Sequence, residues 1–368
     1  MAEITLENVQ AALAAVEDPT FEATLAKLGT LDEVKLEGQK VSARVRVSSP
    51  TESVREEIRR RVEKALETLG MTQVSLEFDI QIPTRETTSN DPIPTVRNVI
   101  LVMSGKGGVG KSTVAANLAL ALARSGTRVG LLDADVYGPS VPTMLGIQGH
   151  PSSKDGKRIE PLQRFGVKLM SIGFLLEDPK QAVIWRGAML HGALQQFISD
   201  VNWGELDYLV LDLPPGTGDV ALTLAQNLKV TGALMVTTPQ EVALIDVHKA
   251  LSMCKKLDIP VLGIVENMSY FVDPSGTRHA LFGEGGGAKL AEEWKTPVLA
   301  QIPIDPAVGR AGDAGTPVVQ ADPTCASAKV FTAMAENLTE RIARMHRERA
   351  GGEEAPVTAG PKRLRIVQ

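Results

Sequence analysis

The sequence predicts a doubly wound α/β domain with a mainly parallel sheet, preceded by a small α+β domain. Three observations carry this. Residues 96–347 contain five uninterrupted apolar runs, each followed by a stretch that reads as helix, as parallel strands buried on both faces require. The glycine-rich stretch "GKGGVGKS" sits directly after the first run and directly before an alanine-rich helix. Residues 1–82 instead alternate apolar with polar residues, or space apolar ones at helical intervals, as elements with a single buried face do.

In chain order, Leu6, Val9, Leu13 and Val16 recur at helical spacing. Gly38 makes a hairpin turn before a strand in which Val41, Ala43, Val45 and Val47 share a face. Ser49-Pro50-Thr51-Glu52 reads as a helix start, with a serine N-cap, proline at the first helical position and a glutamate closing a capping box. Val54, Ile58, Val62, Leu66 and Leu69 line that helix, Gly70 ends it, and Val74, Leu76, Phe78, Ile80 and Ile82 alternate as a further strand. Residues 83–95, "PTRETTSNDPIPT", lack apolar periodicity and read as a linker. Parallel strands follow at 99–103, 129–132, 208–211, 233–236 and 261–265, with a last helix over about 326–347 and a tail without order at 348–368.

Composition excludes several classes. The 368 residues are 43% hydrophobic but only 4% aromatic, so aliphatic cores in two domains are expected. A net charge of −5 gives no basic footprint, which argues against a nucleic-acid partner. Two cysteines, Cys254 and Cys325, make no disulfide framework. Neither a signal peptide nor a spanning segment is visible, so a cytoplasmic protein without a membrane partner is expected.

The chemistry concentrates at strand ends. Gly105 to Ser112 fit G-x-x-x-x-G-K-[ST], in which Gly105, Lys106, Gly107, Gly108, Val109 and Gly110 wrap backbone N–H groups around phosphate oxygens. Lys111, Ser112 and Thr113 open the following helix, whose N-terminus favours anions. Lys111 is placed to reach the β- and γ-phosphates, and the Ser112 hydroxyl to ligate Mg²⁺. Asp133, Asp135 and Asp212 end or follow two buried strands, where carboxylates face the ligand crevice of such a sheet. Asp212 suits the Mg²⁺ shell, with Asp133 a second candidate for the metal. Asp135 suits activation of the attacking water, although the choice between Asp133 and Asp135 stays open. Gly216 lies where its N–H would sense the γ-phosphate. Asn267 would read a purine edge; Met268, Ser269 and Tyr270 after it lack the lysine-and-carboxylate pattern of guanine sites, so ATP is expected. Lys106 is surplus to a phosphate loop of one copy. A cation supplied by a partner is worth roughly 10³ to 10⁵ in phosphoryl-transfer rate, which gives Lys106 a task across a two-fold interface.

"KGGVGKST" resembles the deviant phosphate loop of ATPases such as MinD, ParA and the nitrogenase iron protein, where the first lysine contacts nucleotide in the opposite subunit. With "LLDADVYGPSVPTMLG", "IWRGAMLHGALQQF", "DYLVLDLPPGTGD" and "GIVENMSYF", residues 96–340 are similar to the Mrp/ApbC family, and residues 5–82 to the small iron–sulfur-assembly domain often fused to it. The resemblance implies an ATP-hydrolysing homodimer that carries iron–sulfur clusters to apoproteins. It also implies a C-x-x-C pair after "NMSYF", which would supply cluster thiolates; this chain reads "YFVDPSGTRH", with Asp273 at the first position and the second cysteine missing between Ser275 and Gly276. Cys254 and Cys325 read as core residues rather than ligands. Asp273 and His279 are a weaker alternative ligand pair. Two readings therefore stand: a cluster-carrying ATPase, or a cluster-free, ATP-dependent dimer switch acting on a protein partner.

Overall fold

The computed structural model describes residues 4–136, 138–153, 156, 158–175, 187–216, 219–351 and 364–366. Tyr137, residues 184–186, Thr217 and Gly218 of the family-like stretches lie outside these, as does most of the tail. The chain divides into two units, one of residues 84–338 and one of residues 1–83 with 339–368.

The larger unit is built on eight strands in the order Val298–Gln301, Val261–Glu266, Gly232–Thr237, Val96–Ser104, Leu206–Asp212, Val129–Asp133, Val167–Ser171, Leu162–Arg164. All neighbours run parallel except the last pair. The five apolar runs form the five central strands, and their side chains are buried along nearly their whole length because helices cover both faces. Val298–Gln301, Val167–Ser171 and Leu162–Arg164 were not expected. They are short and carry polar residues such as Gln163, Lys168 and Gln301, so the apolar pattern does not mark them.

Strand order positions the site. Leu206–Asp212 lies between Val96–Ser104 and Val129–Asp133, so the chain leaves the glycine-rich loop at a point where the sheet's winding switches. The register sets Asp212 beside Asp133, and Asp133 beside Ser171, at the carboxyl edge.

The 83–95 segment departs from a free linker. From Thr84 onward it counts with the larger unit. Arg85 and Asp91 form a buried ion pair, each side chain 2% exposed, and Arg85 also donates to the carbonyls of Ile93 and Lys229. A buried guanidinium needs acceptors, and these fix the segment despite its irregular backbone.

In the smaller unit, Leu31–Glu37 turns at Gly38 (φ +61°) into Lys40–Val47, and the Glu52–Glu67 helix carries the chain over to the parallel strand Gln73–Ile80. Val41, Ala43, Val45 and Val47 of the strand and Val54, Ile58, Val62 and Leu66 of the helix are buried. The helix begins later than expected. Its N-cap is Thr51 without a side-chain cap bond, and Pro50 stands outside. The Ser49 and Thr51 hydroxyls engage each other and Thr339, and Ser49 Oγ accepts the Thr51 N–H rather than one of the helix. The last helix spans Ala326–Arg349. Beyond it, Leu364–Ile366 pair antiparallel with Gln73–Ile80 rather than lacking order.

Candidate nucleotide-binding site

The Val96–Ser104 strand ends at the carboxyl edge of the sheet, and residues 105–110 turn the chain into the Lys111–Arg124 helix. Gly108 and Gly110 have φ of +81° and +80°, a backbone shape that side chains disfavour and that turns N–H groups inward. The first helical turn adds N–H groups without intrahelical acceptors. Gly105 serves another need: a Cβ there would lie 2.4 Å from the Asp246 backbone carbon on the Glu241–Lys256 helix.

Three hydrogen bonds pin this loop. Ser104 Oγ donates to the Lys106 carbonyl at 3.0 Å, the Gly216 N–H to the Ser104 carbonyl at 3.0 Å, and Asn267 Nδ2 to the Val109 carbonyl at 2.8 Å. One expectation changes accordingly. The Gly216 N–H is already used within the protein rather than offered to a γ-phosphate. The buried Asn267 amide also braces the loop through one N–H, which leaves its second N–H and its oxygen for the base expected there.

Lys111 joins the strand-end aspartates. Its Nζ lies 2.6 Å from Asp212 Oδ1 and 3.4 Å from both Asp135 Oδ2 and Ser112 Oγ. Asp133 is fully buried; it accepts from the Asp135 and Val141 N–H groups and from Ser171 Oγ. These bonds tie it to the Asp135 and Val141 backbone, so it braces the site as well as standing beside the proposed metal ligands. Burial first, and the Asp212 charge second, push the Asp133 carboxyl well up. Asp212 is also raised by burial, opposed by the Lys111 ammonium and the Ser112 hydroxyl. One ammonium thus pairs with two carboxylates, Asp212 and Asp135, a deficit of positive charge in a buried site.

The residues fit Mg²⁺. Asp212 Oδ2 is buried without a hydrogen-bond partner among the described residues, and a hard cation takes oxygen donors of this kind. Ser112 and Asp212 would hold the ion; when bound, it would neutralise charge on the phosphates. Lys106 is half-buried, and among the described residues its ammonium meets no ion-pair partner. Thr113, in the first helical turn, offers its carbonyl to Asn117.

The altered segment folds as a polar hairpin in which Phe271–Val272 pairs with Arg278–His279. Asp273 Oδ1 accepts from Ser275 N, Ser275 Oγ and Thr277 N, and Oδ2 lies 2.7 Å from His279 Nε2. The Ser275 and His279 bonds hold the Asp273 carboxyl well below its usual range. These donors do not fit a thiolate-held cluster. Cys254 is buried against Met103 with its thiol pushed up to about 11 by burial, and Cys325 accepts the Ala328 N–H near the last helix. Among the described residues no three His, Cys, Asp or Glu side chains group to hold a metal ion.

Sequence reasoning missed Ser171, which no motif marks, and Glu266, the buried carboxylate before Asn267. A charged residue closing the apolar run "VLGIVE" was the available signal for the latter.

The chain resembles known proteins over most of its length. Residues 95–339 match the family described as the NUBPL iron-transfer P-loop NTPase, and residues 6–76 match the family of iron–sulfur cluster assembly proteins. Proteins named iron–sulfur cluster carrier protein are 44% identical in Synechocystis, over 92% of this chain and 98% of that protein, and 43% identical in Escherichia coli strain K12, over 91% and 90%. A nucleotide-binding protein from Archaeoglobus fulgidus, solved with ADP, is 44% identical and superposes with a TM-score of 0.55, over 62% of this chain and 92% of that one. The cell division ATPase MinD of Pyrococcus furiosus is 25% identical with a TM-score of 0.51, over 66% and 98%. Of the two readings, these relatives favour the cluster-handling one. No helix among the described residues is long and apolar enough to cross a membrane. With a phosphate loop, its aspartates and this likeness over most of its length, the chain is a P-loop ATPase that belongs to the NUBPL-type iron-transfer family, the family of the iron–sulfur cluster carrier proteins.

Proposed function

We propose that the protein works as a Mg²⁺-dependent ATPase homodimer that handles iron–sulfur clusters for apoprotein partners, and that the cluster's thiolates do not come from its own hairpin. The observation that carries the ATPase half is the Lys111–Asp212–Asp135 group behind a loop whose Gly108 and Gly110 take left-handed backbone conformations. In the free site Lys111 offsets the aspartate charge. On ATP binding its ammonium moves to the β- and γ-phosphates, and Asp212 and Ser112 would hold the metal. Asp135, no longer paired with Lys111, orients the attacking water. Lys106 reaches the phosphates of a second copy, where a cation strengthens the transition state more than the ground state.

The cluster-handling half rests on the named relatives and the small domain, and it is tested by function. Under anaerobic conditions with ferrous iron and sulfide, the protein should accelerate activation of an apoenzyme that needs a [4Fe–4S] cluster. The acceleration should require ATP and be lost in Lys111→Ala. A wild-type protein that hydrolyses ATP without accelerating activation would refute this half alone.

A further inference from the structure

Glu266 and Asn267 are consecutive at the end of a central strand, and each presses against a glycine of a different element. On one side, a Cβ at Gly110 would lie 2.2 Å from Asn267 Nδ2, the same atom that donates to the Val109 carbonyl. On the other, a Cβ at Gly287 would lie 3.0 Å from both Cβ and Oε2 of Glu266. Glu266 is fully buried, and its carboxylate accepts from Ser269 Oγ at 2.5 Å, Gln301 Nε2 at 3.0 Å and Gly287 N at 2.6 Å. Ser269 immediately precedes the hairpin segment, and Gly287 lies in the first turn of the Gly286–Trp294 helix that follows it. One carboxylate therefore ties both ends of the hairpin, and the next residue along ties the phosphate loop.

We propose that Glu266 and Asn267 are positioning residues that transmit the nucleotide state of the loop to the 270–285 segment. A phosphate gripped by the loop acts on the Val109–Gly110 peptide. The close Gly110–Asn267 packing leaves no slack to absorb a shift there. Asn267 is one peptide bond from Glu266, and a buried carboxylate with three donors resists breaking any of them, since a lost partner leaves a buried group unpaired. The shift consequently passes to Ser269 and Gly287 together and moves the hairpin as a body. The segment it moves exposes Val272, Leu281 and Phe282, apolar groups suited to a protein partner. This inference rests on the proposed binding of ATP to the loop but not on cluster handling.

The test uses full-length protein, a fluorescent non-hydrolysable ATP analogue for affinity, and amide hydrogen exchange with and without Mg²⁺ and the analogue. In the wild type the analogue should change exchange across 268–285 several-fold. Glu266→Gln, whose amide offers donors where the carboxylate accepts, should bind the analogue within a few-fold of wild type while its hairpin exchange no longer responds. Ser269→Ala removes one of three donors and should reduce the response without abolishing it; it carries the test if Glu266→Gln fails to fold. A wild-type hairpin that ignores bound nucleotide, or a variant responding as strongly as wild type, overturns the proposal. Failure of the wild type to bind the analogue would instead overturn the ATP reading.

Discussion

The Lys111 ammonium lies 2.6 Å from Asp212 Oδ1, so the cation that would grip a nucleotide is held by a carboxylate of the same site. The pair is almost wholly buried, with side chains 6% and 0% exposed. Such a pair adds little net stability over an apolar core, but removing one member leaves the other charge stranded. The free site therefore keeps itself electrically tolerable until phosphate and metal arrive.

The two lysines should fail differently. Lys111→Ala should lose ATP affinity and also lower the stability of the nucleotide-free protein by about 3 kcal/mol, because it strips the cation from the two buried carboxylates it pairs with, Asp212 and Asp135. Lys106→Ala should leave stability unchanged and most of the ATP affinity intact while abolishing turnover. Thermal melts and nucleotide titrations on both variants check this; equal losses of affinity would remove the special role of Lys106.

Asp135 and Asp212 should separate as well. Asp212→Asn should raise the Mg²⁺ concentration needed for half-maximal activity, since Oδ2 is the oxygen without a protein partner. Asp135→Asn should bind Mg²⁺ and ATP normally but turn over more slowly by roughly a hundredfold or more, the scale of a lost general base. Turnover measured against Mg²⁺ for each variant distinguishes them.

Much of this was legible in the sequence, for physical reasons. Strands buried on both faces write themselves as unbroken apolar runs, and the phosphate loop writes itself in glycines because its backbone needs conformations and approaches that side chains forbid. Gly105 and Gly110 are both such positions. The edge strands at 162–171 and 298–301 did not show, since partial exposure admits polar residues. Nor did the internal bonds that Asn267, Gly216 and Asp133 make to Val109, Ser104, Asp135 and Val141, since no motif marks a brace. The Arg85–Asp91 pair was hidden for the same reason, because a buried charge pair and a polar linker use the same letters.

The hairpin should stay ordered far into acid. Its Asp273 carboxyl is depressed below 3.8 by the bonds from Ser275 and His279. A depressed carboxyl stabilises fully above its unfolded value and loses that contribution only as pH falls through the lower folded one. Carboxyl carbon NMR of Asp273 should therefore show a midpoint clearly below 3.8; a midpoint at that ordinary value would mean the bonds do not persist in solution.

The same hairpin should hold no stable iron–sulfur cluster after anaerobic reconstitution of the unmodified protein, because it offers oxygen and nitrogen where a cluster needs thiolates. Asp273→Cys with one cysteine inserted between Ser275 and Gly276 should create one. Visible absorbance with iron and sulfide content decides it, and a stoichiometric cluster that survives Cys254→Ser and Cys325→Ser in the otherwise unmodified protein would contradict the reading.

The central claim is an ATP site completed by Lys106 of a second copy, and mixing two inactive variants tests it most directly. A Lys106→Ala subunit keeps its own Lys111, Asp135 and Asp212, and an Asp135→Asn subunit can lend it Lys106. Combined before ATP is added, the two should form mixed dimers with one complete site each. Random pairing at equal amounts then recovers about a quarter of wild-type hydrolysis. A mixture no more active than the sum of its two components would contradict the claim and confine Lys106 to its own subunit.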